Sequence, residues 1–301
     1  MIPPLTTTAA AFARYETVRP RLPQAVFGGP PRPLPSLADT AELFEGCLLD
    51  AFGVLNVGDT AIPGAIARMA DLRRMGKRLC VLSNAASYTR RDAVAKYHAL
   101  GFDFTPDEVV TSRDVAVARL ASIAPGATWA AISAEGDDFH DIPAQVVDAI
   151  ASPDAFDSAD GILFLSSQRW SAALHTRLID ALARIPRPFV VANPDLVAPR
   201  EDCFSQEPGL FAHDVLDRLD LPAHWFGKPF GACFDDALAR LGLPADRVAM
   251  VGDTLHTDIL GGRAAGLGTV LIAGHGLFAG QDVGPYIARS GIHPDFVCAT
   301  I

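Results

Sequence analysis

The chain has 301 residues, half of them apolar and a fifth charged, with a formal net charge of −10. That length allows one large domain or two smaller ones, each able to bury a core, and the composition is that of a folded globule. The negative balance excludes nucleic acid and anionic membranes as expected partners, and no apolar run approaches the ~20 residues of a membrane helix.

Cys47, Cys80, Cys203, Cys233 and Cys298 are an odd number without a CxxC pair. They read as small buried side chains in a reducing compartment. The N-terminus lacks an apolar segment followed by a small-residue cleavage site, so the expected location is the cytoplasm. Residues 1–35 carry eight prolines and predict an extended arm lying on the surface.

Ser36 to Phe44 reads as a short capped helix leading into an apolar strand at 47–52. That strand delivers one carboxylate, Asp50, to its end. A buried acid is costly unless it is paired, so Asp50 is a candidate functional residue as well as a candidate turn residue. Pro63 opens a helix that Gly76 ends. A second apolar strand over 78–82 ends in Ser83-Asn84, and Thr89 with Asp92 forms a capping-box pattern opening a helix that Gly101 closes.

Strand, helix, strand, helix with continuous apolar strands predicts a parallel sheet covered on both faces. Over 113–222 the units change, with strands expected at 128–133, 161–166 and 189–192 and helices around 113–122 and 171–184. We read 113–222 as an inserted domain between core segments 36–112 and 223–301. Its last strand runs into Asn193-Pro194-Asp195. The first pattern resumes with a short strand before Gly227-Lys228-Pro229 and another, 247–251, before Gly252-Asp253.

Ligands of such sheets sit beyond the carboxyl ends of the strands, where Asp50, Ser83, Asn84, Lys228, Asp253 and Asp258 now fall. Singly, each has a plainer reading as a turn, a helix cap or a solvated charge. Together they suit a divalent cation with oxygen ligands, Mg²⁺ above all. A lysine and a hydroxyl beside that cation would hold phosphoryl oxygens, and Asp50 could attack phosphorus to give an aspartyl phosphate.

DAFGVL at 50–55, VLSNA at 81–85, GKP at 227–229 and GDTLHTDI at 252–259 resemble the four ordered motifs of the haloacid dehalogenase-like hydrolases. With ANPD at 192–195, the spacing resembles their class IIA phosphatases, whose cap is of the second type. The resemblance implies an α/β fold: a Rossmann-like, doubly wound parallel sheet with a smaller inserted α/β cap. It implies Asp50 as nucleophile and metal ligand, Ser83 with Asn84 as phosphate binders, and Lys228 as the anchor of nucleophile and phosphate. Asp253 and the Phe52 backbone carbonyl would ligate Mg²⁺ with Asp258 in support, while Asn193 and Asp195 would face the substrate from the cap. Caps of this branch often mediate dimers, so a homodimer is a candidate assembly, and the sequence leaves the oligomeric state open.

The family's phosphatases carry a second Asp two positions after the nucleophile as general acid, and here that position is Phe52. A positioned acid is worth roughly 10²- to 10⁴-fold, so turnover of alkyl phosphates is expected to be slow unless another group donates. His256 is the nearest candidate donor, His275 a weaker one, and Tyr88 reads as packing. Arg90, Arg113 and Arg200 are candidates for offsetting the acidic surface. The expected function is Mg²⁺-dependent hydrolysis of a small phosphorylated metabolite. The alternatives are a non-catalytic phosphometabolite-binding or regulatory protein and, behind it, a carbon–halogen or carbon–phosphorus hydrolase.

Overall fold

The computed structural model describes residues 3–301. Seven parallel strands make the main sheet, in the order Arg32–Ser36, Phe296–Thr300, Gly268–Ile272, Val248–Gly252, Gly46–Leu49, Arg78–Ser83 and Val109–Thr111. The central strands Gly46–Leu49 and Val248–Gly252 are buried at every residue. Alternate side chains of one strand feed opposite faces: Leu49, Val81 and Val251 pack with Met69 and Tyr97 on one side. Leu48, Cys80 and Met250 pack with Phe234 and Ala237 on the other. Because the strands are parallel, their carboxyl ends share one edge, and Asp50, Ser83 and Asp253 stand along it.

The local signals account for the helices nearest that edge. Thr89 and Asp92 form the expected reciprocal box, with Asp92 N–H donating to Thr89 Oγ1 at 3.3 Å and Thr89 N–H donating to Asp92 Oδ2 at 3.4 Å. The helix Arg90–Ala99 follows, and Gly101 ends it at φ 95°. The expected helix over 36–44 is a single 3₁₀ turn, Leu37–Thr40, capped by Ser36 and Asp39.

A second sheet lies over the carboxyl edge, with parallel strands in the order His224–Trp225, Phe189–Val191, Gly161–Phe164, Thr128–Ile132 and Gln145–Asp148. Gln145–Asp148 was not predicted, because it is a half-exposed edge without an apolar run. The helix Pro208–Arg218 also has no counterpart among the expected elements. His224–Trp225, expected in the first sheet, pairs instead with Phe189–Val191 as the edge of the second.

The surface arm expected over 1–35 is the largest correction. Thr8–Val18 is an α-helix with Phe12, Tyr15 and Val18 buried, and Arg32–Ser36 is an edge strand of the main sheet. The prolines misled because they flank the helix at positions 3, 4, 20 and 23 and never interrupt it, while edge strands tolerate proline. Phe12 packs in one cluster with Leu196 and Leu210 from the second layer and Leu255 and Phe278 from the first. Phe12→Ala is therefore expected to cost about 3–5 kcal/mol in urea unfolding. An arm lying on the surface would lose no more than about 0.5 kcal/mol.

Candidate active site

Asp50 follows the last residue of Gly46–Leu49, and its backbone N–H donates to Val251 O at 2.9 Å, so the neighbouring strand fixes where its side chain emerges. Lys228 Nζ lies 2.6 Å from Asp50 Oδ1 and 2.8 Å from Asp258 Oδ1. Oxygens of Asp50, Asp253 and Asp258 all fall within 4.8 Å of one another. Asp253 is held by the Leu277 N–H at 2.7 Å and the Thr254 hydroxyl at 2.8 Å, and Asp258 accepts the Thr254 N–H at 3.0 Å.

Two glycines let the loops come this close. Gly53 has φ 79°, and a Cβ there would sit 2.5 Å from Asp253 Oδ2. Gly227 has φ 109°, and its Cβ would meet Asn84 Oδ1 and Pro194 Cδ at 2.7 Å. Only a residue without a side chain combines these dihedrals with that proximity.

Asn84 is a bracket. Its Oδ1 accepts the Lys228 N–H at 2.7 Å, and its Nδ2 donates to Lys228 O at 2.9 Å and Asp195 Oδ1 at 2.8 Å. Ser83 and Asn84 are buried, and both line a cavity of about 620 Å³ between the two layers. Asn193 and Asp195 line it from the second layer, where Asn193 Oδ1 accepts the Asp195 N–H at 2.9 Å and Asn193 Nδ2 donates to Glu207 at 3.1 Å.

Residues 47–140 match the family model of the haloacid dehalogenase-like hydrolases, and residues 225–301 match a second one described as HAD-hydrolase-like. Human chronophin is 30% identical over 252 residues, which cover 78% of this chain and 83% of that protein. The chain belongs to the haloacid dehalogenase-like hydrolase family. Dihydroxyacetone phosphatase of Corynebacterium glutamicum (strain R) is 26% identical over 227 residues, 75% of this chain and 79% of that protein. The solved p-nitrophenyl phosphatase of Archaeoglobus fulgidus superposes with a TM-score of 0.72 at 26% identity, covering 85% of this chain and 96% of that one. Within its family, this hydrolase is thus of the phosphatase type.

The hydrolase concentrates negative charge around one ammonium. Burial pushes the Asp50 carboxyl up to about 7, with Lys228 opposing and Asp258 adding to the rise. Burial, then Asp50 and Asp258, raise Asp253 well above the carboxylate range. Burial also raises Asp195, with Lys228 opposing and Asp50 adding. Four carboxylates against one lysine fit a site that takes up a divalent cation, and three of them converge closely enough to share it.

The other candidates divide sharply. His256 does not face the cavity: its ring stacks on Tyr15 at 4.9 Å and its Nε2 meets Glu16 Oε1 at 2.5 Å, so it is not placed to donate a proton to a substrate. His275 Nε2 contacts the Thr300 hydroxyl at 3.2 Å, and among the described residues no histidine lines the cavity. Arg113 is fully buried, forking onto Asp137 and Asp141, and Arg90 faces Asp114; neither lines the cavity. Arg200 does. Tyr88 packs against the first core and also lines the cavity, its hydroxyl pushed up to about 12 by burial.

Sequence reasoning passed over Lys96 and Glu207. Lys96 Nζ and Arg200 Cζ lie 5.1 and 5.0 Å from the Phe52 ring centroid, in a cavity that Trp170 and Phe211 also line. Lys96 sits on a helix of mostly polar residues, and only a contact across the fold singles it out.

The charge balance sets a pH dependence. An unfolded Asp50 ionises near 3.8, whereas the folded one keeps its proton to about 7. The folded state therefore binds more protons in that window, and stability falls as pH rises through it. In chelator, urea unfolding should show a loss on the order of a few kcal/mol between about pH 4 and pH 7. Millimolar Mg²⁺ should raise the melting temperature more at about pH 7.5 than at pH 5, since ions compete with protons for the carboxylates.

Proposed function

We propose that this hydrolase is a Mg²⁺-dependent phosphomonoesterase of a small phosphorylated metabolite, working through an aspartyl phosphate, with the five-stranded layer as its cap. One observation carries the reading: Asp50, Lys228, Asp253 and Asp258 converge from three separate stretches of chain, with Asp50 and Asp253 lining the cavity between the layers and Lys228 and Asp258 buried beside them. Asp50 and Asp253, with the Phe52 carbonyl, would hold the cation and Asp258 would support it. When bound, the cation supplies charge neutralisation that lets an anionic carboxylate approach an anionic phosphoryl group.

Lys228 orients Asp50 and offers its ammonium to a phosphoryl oxygen, while Ser83 donates to another. An Asp50 oxygen forms a bond to phosphorus as the ester P–O bond breaks, and the electron pair leaves with the ester oxygen, which takes its proton from solvent water to become the alcohol. Water then attacks phosphorus and returns the electron pair to the Asp50 carboxylate, with its proton going to phosphate or solvent. No carboxyl stands at position 52 to protonate the departing oxygen. The Phe52 ring, with Lys96 and Arg200 against it, occupies that place.

The cavity admits a metabolite of modest size, and Arg200 and Lys96 are the cations facing it beyond the phosphoryl end. The names of the relatives, which include a dihydroxyacetone phosphatase, agree with a substrate of that kind.

A panel of sugar, nucleotide and acyl phosphates, assayed with Mg²⁺ and with chelator, tests the reading. Turnover is expected only with the metal, and binding of a phosphate ester without turnover would favour the non-catalytic alternative. Asp50→Asn is expected to lose all detectable turnover and all covalent phosphoaspartate trapped by acid quench. Full activity in that variant removes Asp50 as nucleophile. Phe52→Asp is expected to raise kcat on alkyl phosphates by roughly 10²-fold, the lower end of what a positioned acid contributes, and to change p-nitrophenyl phosphate turnover far less. Equal gains on both substrates would contradict the missing-acid account.

A further inference from the structure

The helix Thr8–Val18 precedes both stretches that match the family, 47–140 and 225–301, yet it touches both halves of the site. On the core side, Glu16 Oε1 meets His256 Nε2 at 2.5 Å and the Tyr15 ring stacks on the same imidazole with planes 7° apart. His256 lies in the buried turn between Asp253 and Asp258. A second link runs through Leu277, whose carbonyl accepts from the Thr8 hydroxyl at 2.8 Å while its N–H donates to Asp253 at 2.7 Å.

The other side of the helix holds the cap. The Leu196 N–H donates to the Tyr15 hydroxyl oxygen at 3.1 Å, one residue after Asp195. Leu5 and Gln206 exchange two hydrogen bonds, 2.8 Å from Leu5 N–H to Oε1 and 3.0 Å from Nε2 to Leu5 O, and Gln206 lines the cavity. Arg14 and Arg21 both pair with Asp217 on the cap helix, at 2.6 and 2.7 Å. Those ion pairs are partly exposed and contribute little singly. The Leu196–Tyr15 link is different, because it is buried and an N–H there that loses its acceptor costs its full desolvation. Burial first, and then the charge of Asp195, push the Tyr15 hydroxyl well above its ordinary range, so it stays protonated.

We infer that Tyr15 and Glu16 are positioning residues for phosphoryl transfer, acting from a helix that clamps the cap loop carrying Asp195 to the core turn carrying Asp253 and Asp258. Neither residue lines the cavity, so each acts through another: Tyr15 through Leu196 on the substrate-facing loop, and Glu16 through His256 on the metal-facing turn. The clamp sets the distance between layers from outside the cavity. Its kinetic consequences rest on the hydrolase reading above, whereas its effects on metal binding and local opening do not.

The two residues should separate in full-length variants. Tyr15→Phe keeps the ring on His256 and removes only the hydroxyl. KM for p-nitrophenyl phosphate should rise about tenfold, the scale of one lost hydrogen bond, with the calorimetric Kd for Mg²⁺ within about twofold of wild type. Glu16→Ala should weaken Mg²⁺ by roughly 10-fold or more, as loss of an outer support does, with KM at saturating metal unchanged. Glu16→Gln, which still accepts from His256, should restore most of that affinity. Amide exchange should quicken over 195–207 in the first variant and over 253–258 in the second.

Leu178→Ala, a buried cap change away from the clamp, controls for lost stability alone. Its KM, its Mg²⁺ affinity and exchange over 253–258 should stay at wild-type values. If Tyr15→Phe and Glu16→Ala behave as that control does, the clamp is overturned. Should wild type turn over no phosphate ester, the hydrolase reading fails by itself, and Mg²⁺ affinity with amide exchange still decides the clamp: unchanged values in both variants overturn it.

Discussion

The contact of one ammonium with two carboxylates is the constraint on which the site depends. Lys228 Nζ touches Asp50 and Asp258 with Asp253 and Asp195 nearby, all in a region where an isolated charge would be prohibitive. A buried lysine among acids stays charged, and here its neighbours hold it above its ordinary range against the pull of burial. The lysine cannot balance every carboxylate. That imbalance is a property of the polypeptide itself, and it explains why acidic side chains are gathered where stability alone would disperse them. Function has been favoured over stability at this point of the fold.

Holding that cluster together falls to backbone geometry more than to the charges. The parallel sheet fixes two strand ends side by side, Gly53 and Gly227 let the following loops press inward, and Asn84 ties the Lys228 backbone to Asp195 of the opposite layer. The polar groups are nearly all satisfied before any ligand arrives. This is the arrangement expected of a site whose geometry is organised in advance.

Much of this was legible in the sequence, and the failures have physical causes. Continuous apolar strands announced the parallel sheet, and residues at strand ends announced the site, because both follow from short-range patterns. Asp50, Lys228, Asp253 and Asp258 were placed together from that logic, and the structure brings them together. His256 was only a candidate donor, because proximity along the chain to two acids says nothing about which way a side chain turns within a helical turn. Arg113 was misread for the opposite reason: its partners Asp137 and Asp141 are too distant in sequence to be paired by inspection. Lys96 and Tyr15 were missed because their importance comes wholly from contacts across the fold. The N-terminal helix was obscured by proline content averaged over a window that also contained an alanine-rich run.

Those same prolines have a use at the rim of the main sheet. Arg32 N–H donates inward to Asp295 O, and N–H direction alternates along a strand, so the nitrogens of Pro33 and Pro35 are the ones facing outward. Both are incapable of donating. A foreign strand approaching that border finds acceptors but no matching donors, and stacking of one molecule's sheet onto another's is blocked at its first rung. The outermost strand thus closes this border of the sheet to the addition of a further strand.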